Sequence, residues 1–243
     1  MGRLAALLGW RGAAAAGLAV ALALYYRFHE SLPNTSTWGD VTVLSLLLMP
    51  AVFMLVYLAL RLRRAQPLQL LLVAAAFGVL GLVADQAGLG ALASFSKLAA
   101  MTAAAFWFLN YFETAFWVVL VALIIPVVDG YSVWRGPTSN IVEHHGDVFT
   151  SLSFAFPVPG ENDAARLGLP DLLFFGLFLA ASERFQLRVL PTWIALVASF
   201  GATIALAVAF DLAGLPALPL LSLGFLLPNA DLLWRRWRSR GST

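Results

Sequence analysis

Apolar residues recur in blocks along the whole length of this chain, at about 12–27, 40–60, 67–85, 89–110, 112–133, 167–183, 190–211 and 216–234. Each block approaches the roughly 20 mostly apolar residues that an α-helix needs to cross a bilayer. The pattern predicts an all-α polytopic membrane protein with eight transmembrane helices. These form a single membrane domain over 1–243, with N-terminal helices in 1–111 and a second group in 112–234. The first block also has signal-peptide features, since Arg3 and Arg11 precede an Ala/Leu run containing Ala21-Leu22-Ala23. Tyr25-Tyr26 suits an aromatic anchor at the membrane interface, so a retained helix is expected.

Composition strengthens this picture. Hydrophobic residues make up 61% and charged residues 12% of the chain, and the mean hydropathy is +0.85. A soluble domain is typically about 45–50% apolar and about 25% charged. Cysteine is absent, which excludes disulfides, thiol catalysis and cysteine metal sites. A pI near 9.3 reads as loop charge in such a protein, and no nucleic-acid partner is expected. The basic residues cluster in alternate gaps: Arg61, Arg63 and Arg64; then Arg184 and Arg188; then Arg235, Arg236, Arg238 and Arg240. Lys and Arg collect on the cytoplasmic side, so both termini are expected there, with the gaps at 28–39, 85–89, 134–166 and 211–215 outside.

The long connection 134–166 holds Gly136, Pro137, Gly146, Pro157, Pro159 and Gly160, with Glu143, Asp147, Glu161 and Asp163. Within it, Val148–Phe156 is β-branched and aromatic and suits a short strand, ended by Pro157.

An ionisable residue inside a bilayer is a functional hypothesis by default. Asp129 ends one apolar run and Asp171 opens the next. As interfacial residues they would need no further role, and Asp171 would simply favour a helix N-terminus behind Pro170 at the first helical position. The fifth helix runs outward and the sixth runs back, however, which puts both carboxyls at similar depth. Two neighbouring carboxylates cannot both ionise cheaply, so such a pair shares a proton. The ionised acid can then deprotonate a water while the protonated one polarises a carbonyl.

Three short motifs around these acids resemble the GxGD intramembrane aspartyl proteases, presenilin and signal peptide peptidase. That family carries Tyr-Asp in one helix, Gly-x-Gly-Asp in the next and Pro-Ala-Leu near the start of the last. This chain has Val128-Asp129, then Gly168-Leu169-Pro170-Asp171, then Pro216-Ala217-Leu218-Pro219. Arg135-Gly136-Pro137 is similar to the presenilin Lys-Gly-Pro, and Phe154-Ala155-Phe156-Pro157 to the apolar strand before Gly-x-Gly-Asp. The resemblance covers about 110–234. It departs from the family at Val128, which stands for Tyr, and at Pro170, which stands for the second Gly. Known members usually have nine helices.

The resemblance implies an aspartic endopeptidase that cleaves transmembrane or signal-peptide helices, with Asp129 and Asp171 catalytic and with neither metal nor organic cofactor. Gly168, Leu169, Pro170, Phe154, Phe156, Pro216, Ala217 and Leu218 are the expected substrate-binding residues, the strand and the Pro-Ala-Leu backbone holding an unwound substrate by β-addition. The alternatives are a catalytically silent homologue that binds transmembrane helices and a proton- or ion-coupled transporter; a transporter is expected to show repeats and broken mid-membrane helices.

Other residues carry weaker signals. His144-His145 with Glu143 and Asp147 is poor metal-ligand geometry. Asn34-Thr35-Ser36 is a glycosylation sequon. Lys97 is expected to face the bundle interior or snorkel, Glu113 to be interfacial, and Asp85 and Asp211 to end outer loops. Trp193, Trp234 and Trp237 suit an interface belt.

Overall fold

The computed structural model describes residues 2–135, 151–212 and 215–240. The chain is mostly helical. Helix α1 is Gly2–Phe28, with non-helical backbone at Gly9. Helix α2 spans Thr37–Arg64, α3 Pro67–Gln86 and α4 Gly90–Tyr111. Helix α5 is Ala115–Arg135. Strands β1 (Ser153–Pro157) and β2 (Ala164–Gly168) follow, then α6 (Leu169–Arg184), α7 (Val189–Ala209), α8 (Leu218–Leu226) and α9 (Ala230–Arg240). Four of these, α2, α3, α4 and α7, are long and apolar enough to cross a membrane, and Ala115–Tyr131 is a shorter apolar helix. The protein is therefore a largely helical membrane protein.

Prolines shape the irregular helices. Pro50 has no N–H to offer the carbonyl four residues earlier, and its ring crowds that carbonyl. Just ahead of it, Leu44–Leu48 widens into a π-helical turn, which makes room without ending α2. The predicted block 216–234 is not one helix. It breaks after Leu226 into a 3-10 turn at Leu227–Asn229, which contains Pro228. Beyond it α9 is amphipathic, with Trp234 and Trp237 exposed beside its arginines. Asn229, fully buried, holds the break. Its Nδ2 donates to Thr192 Oγ1 and to the Phe225 carbonyl, both at 2.8 Å, and its Oδ1 accepts from the Arg188 N–H at 2.9 Å, the entry to α7.

The core is aromatic. Phe53 of α2 lies against Phe175 of α6 at 4.2 Å and Phe200 of α7 at 5.0 Å between ring centroids. Phe156 of β1 joins them at 6.3 Å from Phe53. Without water to drive association, helices in lipid approach through small residues. A Cβ on Gly176 of α6 would lie 2.9 Å from the Ala105 Cβ of α4, and one on Gly224 of α8 would lie 3.0 Å from the Ala195 carbonyl oxygen of α7. The first of these contacts brings α6 against α4 in the centre, where Phe175 to Ser182 are all buried.

The segment read as a long loop contains a β-hairpin. Of the strand predicted at 148–156, residues 148–150 lie outside those described, 151 and 152 are helical and turn rather than extended, and the strand runs Ser153–Pro157; its partner β2 was not anticipated. The pairing is antiparallel, with Ser153 opposite Gly168 and Phe156 opposite Ala165. Phe154 and Phe156 are fully buried, so their side chains build the core and do not line a surface that a substrate could reach. This corrects their expected role.

Candidate active site

Asp129 sits late in α5, one turn after Pro126, which lies inside the helix. Pro126 leaves the Ala122 carbonyl without its helical donor, and α5 is locally loosened there. The acid is half-buried between Val128, 59% exposed, and the buried Gly130. Its neighbours therefore face opposite ways, and Val128 points out of the bundle.

Asp171 is the third residue of α6. Gly168 is the N-cap, in extended conformation at φ −61° and ψ 146°. Leu169 occupies the first helical position, so Pro170 takes the second and not the first, as the sequence had suggested. Proline costs nothing at either position, because the first N–H groups of a helix have no internal partner. An acid at the third position reaches back to the N-cap amide, as in a capping box, and the Asp171 carboxyl interacts with the Gly168 backbone in this way. A Cβ at Gly168 would lie 3.2 Å from Asp171 Oδ2. Glycine is the residue that leaves this carboxyl its room.

The third motif closes the site. Helix α8 begins at Leu218, so only Pro216 and Ala217 precede it. The Leu218 N–H is one of the donors that a helix start leaves unused, and it donates to Asp129 Oδ2 at 3.2 Å. A carboxylate is favoured at that end of the helix dipole. Leu218 therefore holds Asp129, and its amide is not free for a substrate backbone, which corrects its expected role. Asp129 is also close enough to Asp171 for the two charges to interact. Three segments far apart in sequence meet here: the end of α5, the start of α6 and the start of α8. Asp171 is partly accessible, Pro170 exposed, Pro216 and Leu169 half-buried, and Ala217 buried.

Behind the acids, the hairpin is anchored along one edge. Residues alternate in the direction of their backbone groups along an antiparallel strand. On β1 the carbonyls of Ser153, Ala155 and Pro157 turn away from β2. Each meets a side-chain donor: Lys97 Nζ to Ser153 at 3.3 Å, Tyr26 Oη to Ala155 at 2.6 Å and Tyr25 Oη to Pro157 at 2.8 Å. The edge of β1 is thus covered, which excludes β-addition on the strand where it was expected. Among the described residues no strand pairs with the outer edge of β2, which runs from Ala164 through Arg166 to Gly168 and ends at Asp171.

Lys97 is 6% exposed and faces inward; it does not snorkel. Its Nζ pairs with Asp85 Oδ2 of α3 at 3.3 Å. Asp85, expected at a loop end, is the partner that lets this ammonium be buried. Trp193, expected in an interface belt, instead donates its indole N–H to the Phe53 carbonyl at 3.1 Å. Glu113 and Asp211 are exposed. His144-His145 with Glu143 and Asp147, and the pair Gly136-Pro137, lie outside the described residues.

Tyr25, Tyr26 and the Asp85 partner of Lys97 are the contributors that sequence reasoning missed. Lys97 itself was conspicuous as a charge within an apolar block. No protein-family model matches the chain, and no curated protein matches it.

Proposed function

We propose that this chain is an intramembrane aspartyl protease of presenilin and signal peptide peptidase type, using Asp129 and Asp171 to cleave transmembrane or signal-peptide helices with water. One observation carries the reading: the Leu218 amide binds the Asp129 carboxylate at 3.2 Å, while Asp129 and Asp171 lie within electrostatic reach of each other. The three motifs that resemble the family, separate in sequence, share one site. In the proposed reaction one ionised aspartate takes a proton from water, the water oxygen attacks the scissile carbonyl and the protonated aspartate donates to the oxyanion. The tetrahedral intermediate then collapses, the C–N bond breaking as the amine takes the proton held by the first aspartate and the second aspartate recovers its proton from the hydroxyl. The Leu218 amide keeps Asp129 oriented and favours its charge.

A helix hides its amides by internal hydrogen bonding, so the substrate must unwind near the acids. The outer edge of β2 is the proposed template, since an added strand there runs toward Gly168 and Asp171. In this proposal eight helices span the membrane, with both termini cytoplasmic and the hairpin on the far side.

The two departures from the family pattern lie outside the meeting of the acids. Val128 points outward and Pro170 is exposed at an unstrained helix position. Both observations favour the enzyme over the silent binder. The test is cleavage of a transmembrane-helix peptide in detergent by wild type, Asp129→Asn and Asp171→Asn. Cleavage by wild type and loss in both variants is expected. Equal cleavage by either variant, or no cleavage by a wild type that still binds the helix, rejects the reading.

A further inference from the structure

Successive residues of a strand point to opposite faces, and cross-strand partners share a face. On the hairpin, Phe154, Phe156, Ala165 and Leu167 make one face, and Phe154, Phe156 and Leu167 are buried in the core. Ser153, Ala155, Arg166 and Gly168 make the other. The Asp171 carboxyl lies on this second face, since a Cβ on Gly168 would meet Asp171 Oδ2 at 3.2 Å. Arg166 is exposed and stands two residues, about 7 Å, before Gly168 along β2. Its guanidinium leans back along the same face: Nη1 donates to Ser153 Oγ at 3.4 Å, and Ser153 is the cross-strand partner of Gly168. The one basic side chain between Ser153 and Gly168 is therefore aimed at the row beside the Asp171 carboxyl.

That guanidinium is short of acceptors. Its long bond to a neutral hydroxyl is weak, and among the described residues no carboxylate pairs with it. The nearest acid before β2, Asp163, accepts from the Ala164 N–H at 2.7 Å. A guanidinium carries five N–H donors, and a carboxylate matches its fork best. The backbone beside it shows how such a carboxylate can arrive. The carbonyls of Ser153 and Ala155 turn away from β2, so in the same cross-strand pairs the backbone groups of Arg166 turn away from β1, onto the outer edge. On that edge the Gly168 amide is taken by the Asp171 carboxyl, and the Gly168 carbonyl, at an N-cap, serves α6. Arg166 therefore offers an added strand the backbone donor and acceptor nearest the acids. The residue placed opposite it would share its face, with Cβ atoms about 5.5 Å apart.

We propose that Arg166 determines specificity in the proteolytic site, selecting substrate helices that carry a Glu or Asp about two to four residues from the cleaved bond, on the flank that runs along the hairpin. This selectivity rests on the proteolytic reading and on strand addition at β2. A strand held by backbone hydrogen bonds alone can slip in register. A carboxylate on the Arg166 fork pins that register and brings one peptide bond to the acids.

The test uses the full chain in detergent and a transmembrane-helix peptide whose cleaved bond has been located by mass spectrometry. The peptide is remade with a single Glu or Gln at two, three or four residues from that bond, on either flank. On one flank Glu should raise kcat/KM roughly tenfold over Gln. Arg166→Gln should remove that ratio, and Arg166→Glu should invert it in favour of Lys at the same peptide position. Glu and Gln peptides cleaved alike by wild type at every position overturn the proposal and leave the proteolysis standing. A ratio kept in Arg166→Gln, whatever its absolute rate, assigns Arg166 to the acids or to the fold and overturns it as well. A wild type that cleaves no peptide rejects the proteolytic reading itself, and the selectivity with it.

Discussion

Replacing Lys97 by Met removes an ammonium that is buried at the junction of α3, α4 and β1. The cost follows from what is left behind. The Lys97 side chain is 7% exposed and that of Asp85 is 25% exposed. Breaking a fully buried ion pair by deleting one partner costs about 3–5 kcal/mol. Asp85 is a quarter exposed and regains part of its hydration, which lowers that figure. The Ser153 carbonyl also loses a charged donor at 3.3 Å, worth about 1.5–3 kcal/mol when the donor is ionised. The net expectation for Lys97→Met is about 2–4 kcal/mol. Asp85→Leu should cost more, because it strands the more deeply buried of the two charges. The pair Lys97→Met with Asp85→Leu should cost less than either single change, about 1–2 kcal/mol, since it strands no charge and removes only the ammonium's bond to the Ser153 carbonyl. Equilibrium unfolding in mixed micelles with increasing SDS, followed by tryptophan fluorescence, measures all four proteins as a double-mutant cycle. A Lys97→Met protein within about 0.5 kcal/mol of wild type, or a double variant less stable than both singles, refutes the account of Lys97 as a buried, paired anchor.

The remaining predictions concern the acids and the C-terminal turn. Gly168→Ala should fold normally, since φ is −61° and Ala at an N-cap costs only a few tenths of a kcal/mol more than Gly, on the order of 0.5; peptide cleavage should fall at least tenfold, because the new Cβ would sit 3.2 Å from Asp171 Oδ2. Asn229→Leu should destabilise by about 1–3 kcal/mol in the same SDS titration, because it takes the acceptor from the Arg188 amide, while the Thr192 hydroxyl keeps its bond to the Arg188 carbonyl. Arg188 holds Asp231 with two hydrogen bonds of 2.8 Å, and this donation, aided by its positive charge, lowers the Asp231 carboxyl below the ordinary Asp range. The folded value lies under the unfolded one, so the contact stabilises above about pH 4 and its contribution disappears as pH falls through the folded value; carboxyl NMR of Asp231 should show the lowered titration, and Arg188→Gln should return it to the ordinary range.

The sequence was most legible where the physics is local. Blocks of apolar residues marked α1 to α8, because a lipid-facing helix requires such a block whatever packs beside it, but the amphipathic α9 was hidden at the end of the last block. Pro126, Pro170 and Pro219 were visible too, but their positions relative to helix starts depended on hydrogen bonds with other elements. Pro170 was read one position early because the pairing of β2 through Gly168 decides where α6 begins. Strand β2 itself, Ala164-Ala165-Arg166-Leu167-Gly168, has little intrinsic preference for extended structure. It is a strand because Phe154 and Phe156 of its partner are anchored in the aromatic core, and nothing in its own residues announces that. The break at Leu227–Asn229 was similarly hidden. Pro228 lies in the turn, yet it is the three hydrogen bonds of Asn229, to partners up to 41 residues away, that make the bend a fixed corner.

The candidate site shows the same division and adds a mechanical consequence. Asp129 and Asp171 were legible as acids at the ends of apolar runs, but the geometry of each is set by a backbone group that no motif search weighs by itself. Leu218 acts through its amide, and Gly168 acts through the space its missing side chain leaves. Gly168 is also the cross-strand partner of Ser153, whose carbonyl is held by Lys97. A continuous path therefore runs from the Asp85–Lys97 pair through the β1–β2 register to the wall of the Asp171 carboxyl. If that path positions Asp171, conservative loosening at its far end should be felt in the reaction before it is felt in the fold. Lys97→Arg keeps the charge but replaces a compact ammonium with a planar fork that cannot occupy the same point between Asp85 and Ser153. It should preserve most of the stability lost in Lys97→Met, yet lower the turnover number for a helical peptide, with little change in the concentration that half-saturates the protein. A Lys97→Arg protein with unchanged turnover and reduced stability would assign Lys97 to the fold alone and leave the positioning of Asp171 to Gly168 and the start of α6.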